Sequence, residues 1–109
     1  MTPSFNVATI TESGVSFDLH KSQRNEAERG LPFTLAAWLE WDSALVVEDL
    51  RRNYGERRFR VLGLIHGRVH ALVFTPRDEA MRVISLRKAN DREIRLYEQT
   101  QNSSRHPRR

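Results

Sequence analysis

The sequence of 109 residues contains no cysteine. That excludes a disulfide framework, a thiolate zinc site and a cysteine nucleophile. Long apolar runs are missing too. The best, residues 61–65 and 69–74, are strand-sized, far short of the ~18–20 residues that a membrane-spanning helix needs. Residues 1–16 hold no Lys or Arg and no long apolar stretch, which argues against a secretory signal. A cytoplasmic location is the expectation. Histidine is thin: His20, His66, His70 and His106, of which only His66 and His70 are close. Those two sit around Gly67 in what reads as a hairpin, so they read as surface residues. No metal and no cofactor is expected. A phosphate-binding glycine loop, a nucleophile elbow and helical histidine pairs are all lacking.

What remains is a chain for one domain, 39% hydrophobic and 29% charged, with a formal net charge of +4 and a pI near 10.3. Part of that charge lies at the end, in Arg105, Arg108 and Arg109. Residues 17–100 hold 15 Lys and Arg against 13 Asp and Glu, so bulk charge says little about nucleic acid. Its distribution says more. From Arg60 to Arg95, eight basic residues meet four acidic ones. Lys21 and Lys88 are the only lysines. Arginine's planar fork grips phosphate or carboxylate through two bonds at once.

The pattern along the chain predicts an α+β domain: two N-terminal helices, a three- to four-stranded antiparallel sheet and a C-terminal helix. Residues 1–14 read as an irregular extension, 15–100 as the domain and 101–109 as a disordered basic tail. Val15 and Phe17 alternate with polar neighbours, as in a short strand. Asp18 suits the N-cap of a polar helix that stops at Gly30. Thr34 is placed to cap a second helix through about Trp41, with Leu35, Trp38 and Leu39 as its apolar stripe. That stripe puts Trp38 in the core. Trp41 is open to core packing or base stacking. Residues 44–47 read as a short strand. Residues 53–56 are turn chemistry. Strands follow from Phe59, from Val69 and over residues 81–87, with turns at residues 66–68 and 75–79. Asn90 and Glu93 have capping-box spacing at the start of the last helix, which carries Ile94 and Tyr97.

The run Tyr54-Gly55-Glu56-Arg57-Arg58-Phe59, then Gly63, and the run Arg82-Val83-Ile84-Ser85-Leu86-Arg87-Lys88-Ala89 with Glu93 and Tyr97 resemble the BrnT toxin family of type II toxin–antitoxin systems. Phe17-Asp18, Lys21, Asn25, Gly30 and Phe33 match in the first part. The resemblance covers about residues 17–98. It implies a RelE-like fold and a ribonuclease that cleaves RNA and inhibits translation. It also implies neutralisation by an antitoxin from a neighbouring gene, usually of ribbon–helix–helix type, with the complex repressing its own promoter. The first helix ends Glu28-Arg29-Gly30, where the family usually has Lys-His-Gly. Arginine stays protonated and cannot act as a base, yet it can bind phosphate.

Metal-independent RNA cleavage needs in-line attack by the 2′-hydroxyl, somewhere for its proton to go, and charge stabilisation at phosphorus. Arg58, Arg82 and Arg87 are the candidate catalytic residues, and Lys21, Arg29 and Lys88 the candidate RNA contacts. Arg60, Arg68 and Arg77 read as solvated strand residues. Strict alternation sets Arg82 and Arg87 on opposite faces unless a bulge intervenes. The expected partners are RNA and an antitoxin bearing an acidic segment. Operator DNA is expected only through the antitoxin complex, and no membrane. The competing reading is a non-catalytic protein that binds antitoxin or nucleic acid. The ribonuclease reading requires guanidinium groups gathered on one β surface, neither scattered nor locked in internal ion pairs.

Overall fold

A computed structural model describes residues 7–10, 14–77 and 80–105. Its six strands are β1 (Val7–Ile10), β2 (Val15–Asp18), β3 (Leu45–Glu48), β4 (Phe59–Ile65), β5 (Arg68–Arg77) and β6 (Ala80–Lys88). They form one sheet in the order β1-β2-β6-β5-β4-β3. Two α-helices, α1 (Leu19–Arg29) and α2 (Asp91–Arg105), and two 3₁₀ helices, Phe33–Trp38 and Trp41–Ser43, complete the chain.

The α+β class holds, and its details are corrected. The sheet has six strands and is mixed, because β2 runs parallel to β6, with Phe17 beside Val83. The chain leaves β2 through α1 and comes back by way of β3, β4 and β5 before β6 lies alongside. Such a long-range pairing leaves no mark in local alternation. β1 falls within the stretch read as irregular, and α2 continues through residues 101–105, read as tail. Residues 1–6 and 11–13 of the extension, the turn residues 78–79 and the tail residues 106–109 lie outside the described residues.

The second N-terminal α-helix is replaced by the 3₁₀ helix Phe33–Trp38, and no side chain caps its start. The residues it sends into the core region are Phe33, Ala36 and, just past its end, Leu39. That spacing of three is the 3₁₀ period. Trp38 therefore swings outward and is 63% exposed, not core.

Most local signals act as expected. The Asp18 carboxylate accepts from the His20 and Lys21 amides at 2.9 and 3.2 Å. Gly30 ends α1 at φ 73, its N–H donating to the Glu26 carbonyl. His66 (φ 50) and Gly67 (φ 79) make the two-residue turn between β4 and β5. Two positive φ values in succession match the twist of a hairpin. Asn90 and Glu93 exchange side-chain-to-amide bonds at 2.8 and 2.9 Å, a closed capping box.

One face of the sheet carries the core. Val15, Phe17, Val61, Ile65, Leu72, Phe74, Val83 and Leu86 meet Leu31, Phe33, Ala36 and Leu39. Gly63 lies on this face. A Cβ there would stand 3.2 Å from the Leu39 side chain and 3.3 Å from the Ala44 Cβ, so glycine lets the 3₁₀ segment close on β4. α1 is tied down by polar groups instead of an apolar stripe. Ser22 Oγ accepts from the Phe33 amide, and the Asn25 amide donates to the Leu31 and Leu86 carbonyls at 2.7 and 2.9 Å. α2 flanks the opposite face. Its Tyr97 is buried, with its hydroxyl 3.0 Å from Ser43 Oγ, and Gln101 donates to the Ser43 carbonyl.

Candidate functional site

The site is built by one irregularity in β6. Val73 pairs with Ser85 and Phe74 with Val83, which leaves Ile84 unmatched. An extra residue of this kind shifts the alternation of the strand by one. Val83 and Leu86, three apart, consequently both enter the core. Arg82 and Arg87, each next to one of them, both lie on the opposite face.

The register extends that face across the sheet. Arg60 is beside Val73, which is beside Ser85. Leu62 is beside Ala71, which is beside Arg87. Thr75 is beside Arg82. Arg58 precedes β4 with the same parity as Arg60. Four arginines thus share the face that α2 flanks, spread over β4 and β6, two strands or ~10 Å apart. A cleft of about 300 Å³ opens there beside Arg60 and Arg87, with Arg58 and Arg82 on the same face but outside its lining. Arg51, Arg60, Arg87, Ser85 and Glu93 supply its polar walls, and Val47 and Leu96 form an apolar lip. Both lip residues are 46% exposed.

The arginines are held to different degrees. Arg87 is the most constrained. Its two terminal nitrogens meet the two Glu93 oxygens at 2.8 Å each, a bidentate pair. The Arg87 hydrogen bonds, together with the amide of Asn90, hold the Glu93 carboxyl at about 2. Arg58 uses only Nε, which donates to Glu56 Oε2 at 3.0 Å, and its guanidinium lies 4.3 Å from the centre of the Tyr54 ring. Arg82 stands 4.0 Å from the Asp18 carboxylate, outside hydrogen-bond range. Arg60 is exposed and forms no ion pair among the described residues.

The Tyr54–Phe59 segment owes its shape to Asp49. This buried carboxylate accepts from Arg51 through Nε and Nη2 at 2.8 and 2.7 Å, and from the Tyr54 hydroxyl at 2.9 Å. The Arg51 bonds hold it well below the usual carboxylate range. Tyr54, fixed at its hydroxyl end, then presents its ring to Arg58.

The three candidate RNA contacts are not part of this cluster. Arg29 turns its Nη1 onto Asn25 Oδ1 and the Leu86 carbonyl, both at 3.3 Å. Lys88 sits opposite His70 on the core-side face. Lys21 is exposed on the first turn of α1, its amide bonded to Asp18, and it does not line the cleft. Arg60 and Arg51 line the cleft although composition did not single them out. The two-residue step from Arg58 to Arg60 was the available signal for Arg60. Among the described residues no group of three or more His, Asp or Glu could hold a metal ion. No helix among them is long and apolar enough to cross a membrane.

Residues 17–93 match the family described as "Ribonuclease toxin, BrnT, of type II toxin-antitoxin system". No curated protein and no solved structure matches the chain.

Proposed function

The chain belongs to the BrnT family of ribonuclease toxins of type II toxin–antitoxin systems, and from that premise we propose that the arginine face is where RNA is held and cut. The observation that carries the reading is the bulge at Ile84, which brings Arg82 and Arg87 to the side of Arg58 and Arg60. The enzyme proposed is a metal-independent endoribonuclease that inhibits translation. Its RelE-like character rests on the resemblance read from the sequence.

The 2′-oxygen attacks the adjacent phosphorus and gives up its proton, the bond to the 5′-oxygen breaks to leave a 2′,3′-cyclic phosphate, and the departing 5′-oxygen takes up a proton from water. Arg60 has an open fork for the phosphate oxygens. Arg58, Arg82 and Arg87 each face a carboxylate, so they reach phosphate only as far as those pairs yield, Arg82 being held at 4.0 Å from Asp18 and Arg58 through Nε alone. These groups stabilise charge that grows in the transition state. Glu56, held next to Arg58, is the candidate acceptor for the 2′-proton. Val47 and Leu96 give a nucleobase an apolar wall. Arg29 and Lys88 cannot act within the cleft from where they stand.

Membership in the family implies a cognate antitoxin. We propose that it is of ribbon–helix–helix type and covers the arginine face with an acidic segment, since opposite potentials steer and fix such pairs. The complex, not the toxin alone, then contacts operator DNA. The protein acts in the cytoplasm, away from membranes.

Induced alone, the chain should stop growth and degrade RNA, and the purified protein should cut labelled RNA in the presence of chelator. Changing Arg58, Arg60 or Arg87 to Ala should lower the cleavage rate by about 10²-fold or more. A specific observation favours the competing reading: Glu93 occupies Arg87. Soluble protein that binds antitoxin or RNA but leaves RNA intact would establish that non-catalytic role in its place.

A further inference from the structure

We propose a second single-stranded RNA site at the β4–β5 turn, on the opposite side of the sheet from the cleft, with Trp38 as its stacking platform. It rests on the ribonuclease reading for the identity of its ligand, and it adds a contact surface which that reading does not use.

Trp38 ends its 3₁₀ helix 63% exposed, off the Phe33, Ala36 and Leu39 line that enters the core. Its ring leans on His66 at 5.8 Å between centroids and 43° between planes. His66 holds its place through the positive-φ turn. The indole is thereby braced from one side and open to water over most of its area. Cations lie on the same face of the sheet, and one exposed carboxylate, Glu40, follows Trp38 by two residues. Ile65 pairs with Arg68, and His70 pairs with Lys88, so both cations lie on the face on which the 3₁₀ helix packs. His70, buried between them, feels Arg68, Lys88 and His66 together. Neither Arg68 nor Lys88 has a carboxylate partner among the described residues. Arg29, fixed to the Leu86 carbonyl, reaches the same end of β6.

An exposed aromatic on one face with unpaired cations is the composition of a single-strand platform: a base stacks and the backbone lies along the charges. An apolar protein partner would have to desolvate Arg68 and Lys88 there. The geometry also accommodates a strand that continues from the cleft. Arg87 and Lys88 are consecutive, one on each face, at the end of β6 past its pairing with β2 and just beyond the Leu86 carbonyl that Asn25 and Arg29 of α1 bond.

The test is a titration of the full chain with a short 2′-O-methyl oligonucleotide, which lacks the attacking hydroxyl and cannot be cleaved by the proposed route. Binding should quench the exposed tryptophan. Trp38→Ala should weaken binding about tenfold, with Trp38→Phe recovering much of it. Arg68→Ala should weaken binding and lower the salt slope by about 0.7. Arg60→Ala, in the cleft, should abolish cleavage of ordinary RNA while the quench at Trp38 persists. Unchanged affinity in Trp38→Ala, or no binding by the wild type, overturns the second site. If RNA is bound with the Trp38 signature but never cut, the ribonuclease reading fails while this site stands.

Discussion

Glu93 has two duties that pull in different directions. It closes the capping box of α2 and it occupies the Arg87 fork. Its carboxyl sits at about 2 against an ordinary 4.5. Because the folded value is depressed, the ionised form stabilises the protein fully above about 4.5, and that contribution drains away as pH falls from there through about 2. Urea midpoints measured across this window should drop for the wild type, and the Glu93-dependent part of that drop should vanish in Glu93→Gln. The same substitution removes the ion pair, so stability at neutral pH should fall by about 1–2 kcal/mol. RNA affinity should move the other way, because Arg87 is released to phosphate. A variant that loses stability with no gain in RNA binding would mean that Arg87 serves the fold alone. Asp49→Asn is the parallel case: it removes the charge and one of the two acceptor oxygens, leaving Arg51 Nη2 and the Tyr54 hydroxyl in competition with an amide NH₂, and it should cost stability and mobilise the Tyr54 ring under Arg58.

Elements here are set as much by polar ties as by apolar stripes, and this governs what could be read in advance. The caps of α1 and α2, the His66-Gly67 turn and the strands β3 to β6 follow from short-range chemistry that stands in the sequence. The 3₁₀ segment does not. Leu35, Trp38 and Leu39 imitate an α-helical stripe, while the buried set is Phe33, Ala36 and Leu39. Only the packing above Gly63 chooses between the two periods. A methyl group at Gly63 should test this, since Gly63→Ala presses on Leu39 and Ala44 and should cost about 1–3 kcal/mol by urea unfolding. The Arg58–Arg60 pair was legible as alternation, whereas the union of Arg82 with Arg87 was not. It hinges on Ile84 being passed over by β5, and no rule of composition marks which residue of a strand will bulge. Removing the cap of α2 probes the neighbouring joint: Asn90→Ala should cost about 1 kcal/mol and loosen Glu93 from Arg87, measurable as a smaller effect of Glu93→Gln in that background.

Across the whole molecule, a modest net charge of +4 conceals cations gathered on both faces of the sheet. Arg58, Arg60, Arg82 and Arg87 stand on one face and Arg68 and Lys88 on the other, with the carboxylates of Glu56, Asp18 and Glu93 each next to an arginine. Affinity for single-stranded RNA should therefore fall steeply with salt. If about four phosphates are engaged, the log–log slope is near −3. A slope near zero would remove the phosphate-binding account of this face. The pairing of β2 with β6 has a consequence in time. Phe17 leaves the ribosome early and Val83 late, and contacts so distant in sequence form slowly. Asp18 meets Arg82 only once nearly the entire chain has been synthesised, so a nascent or prematurely terminated product carries no finished arginine surface.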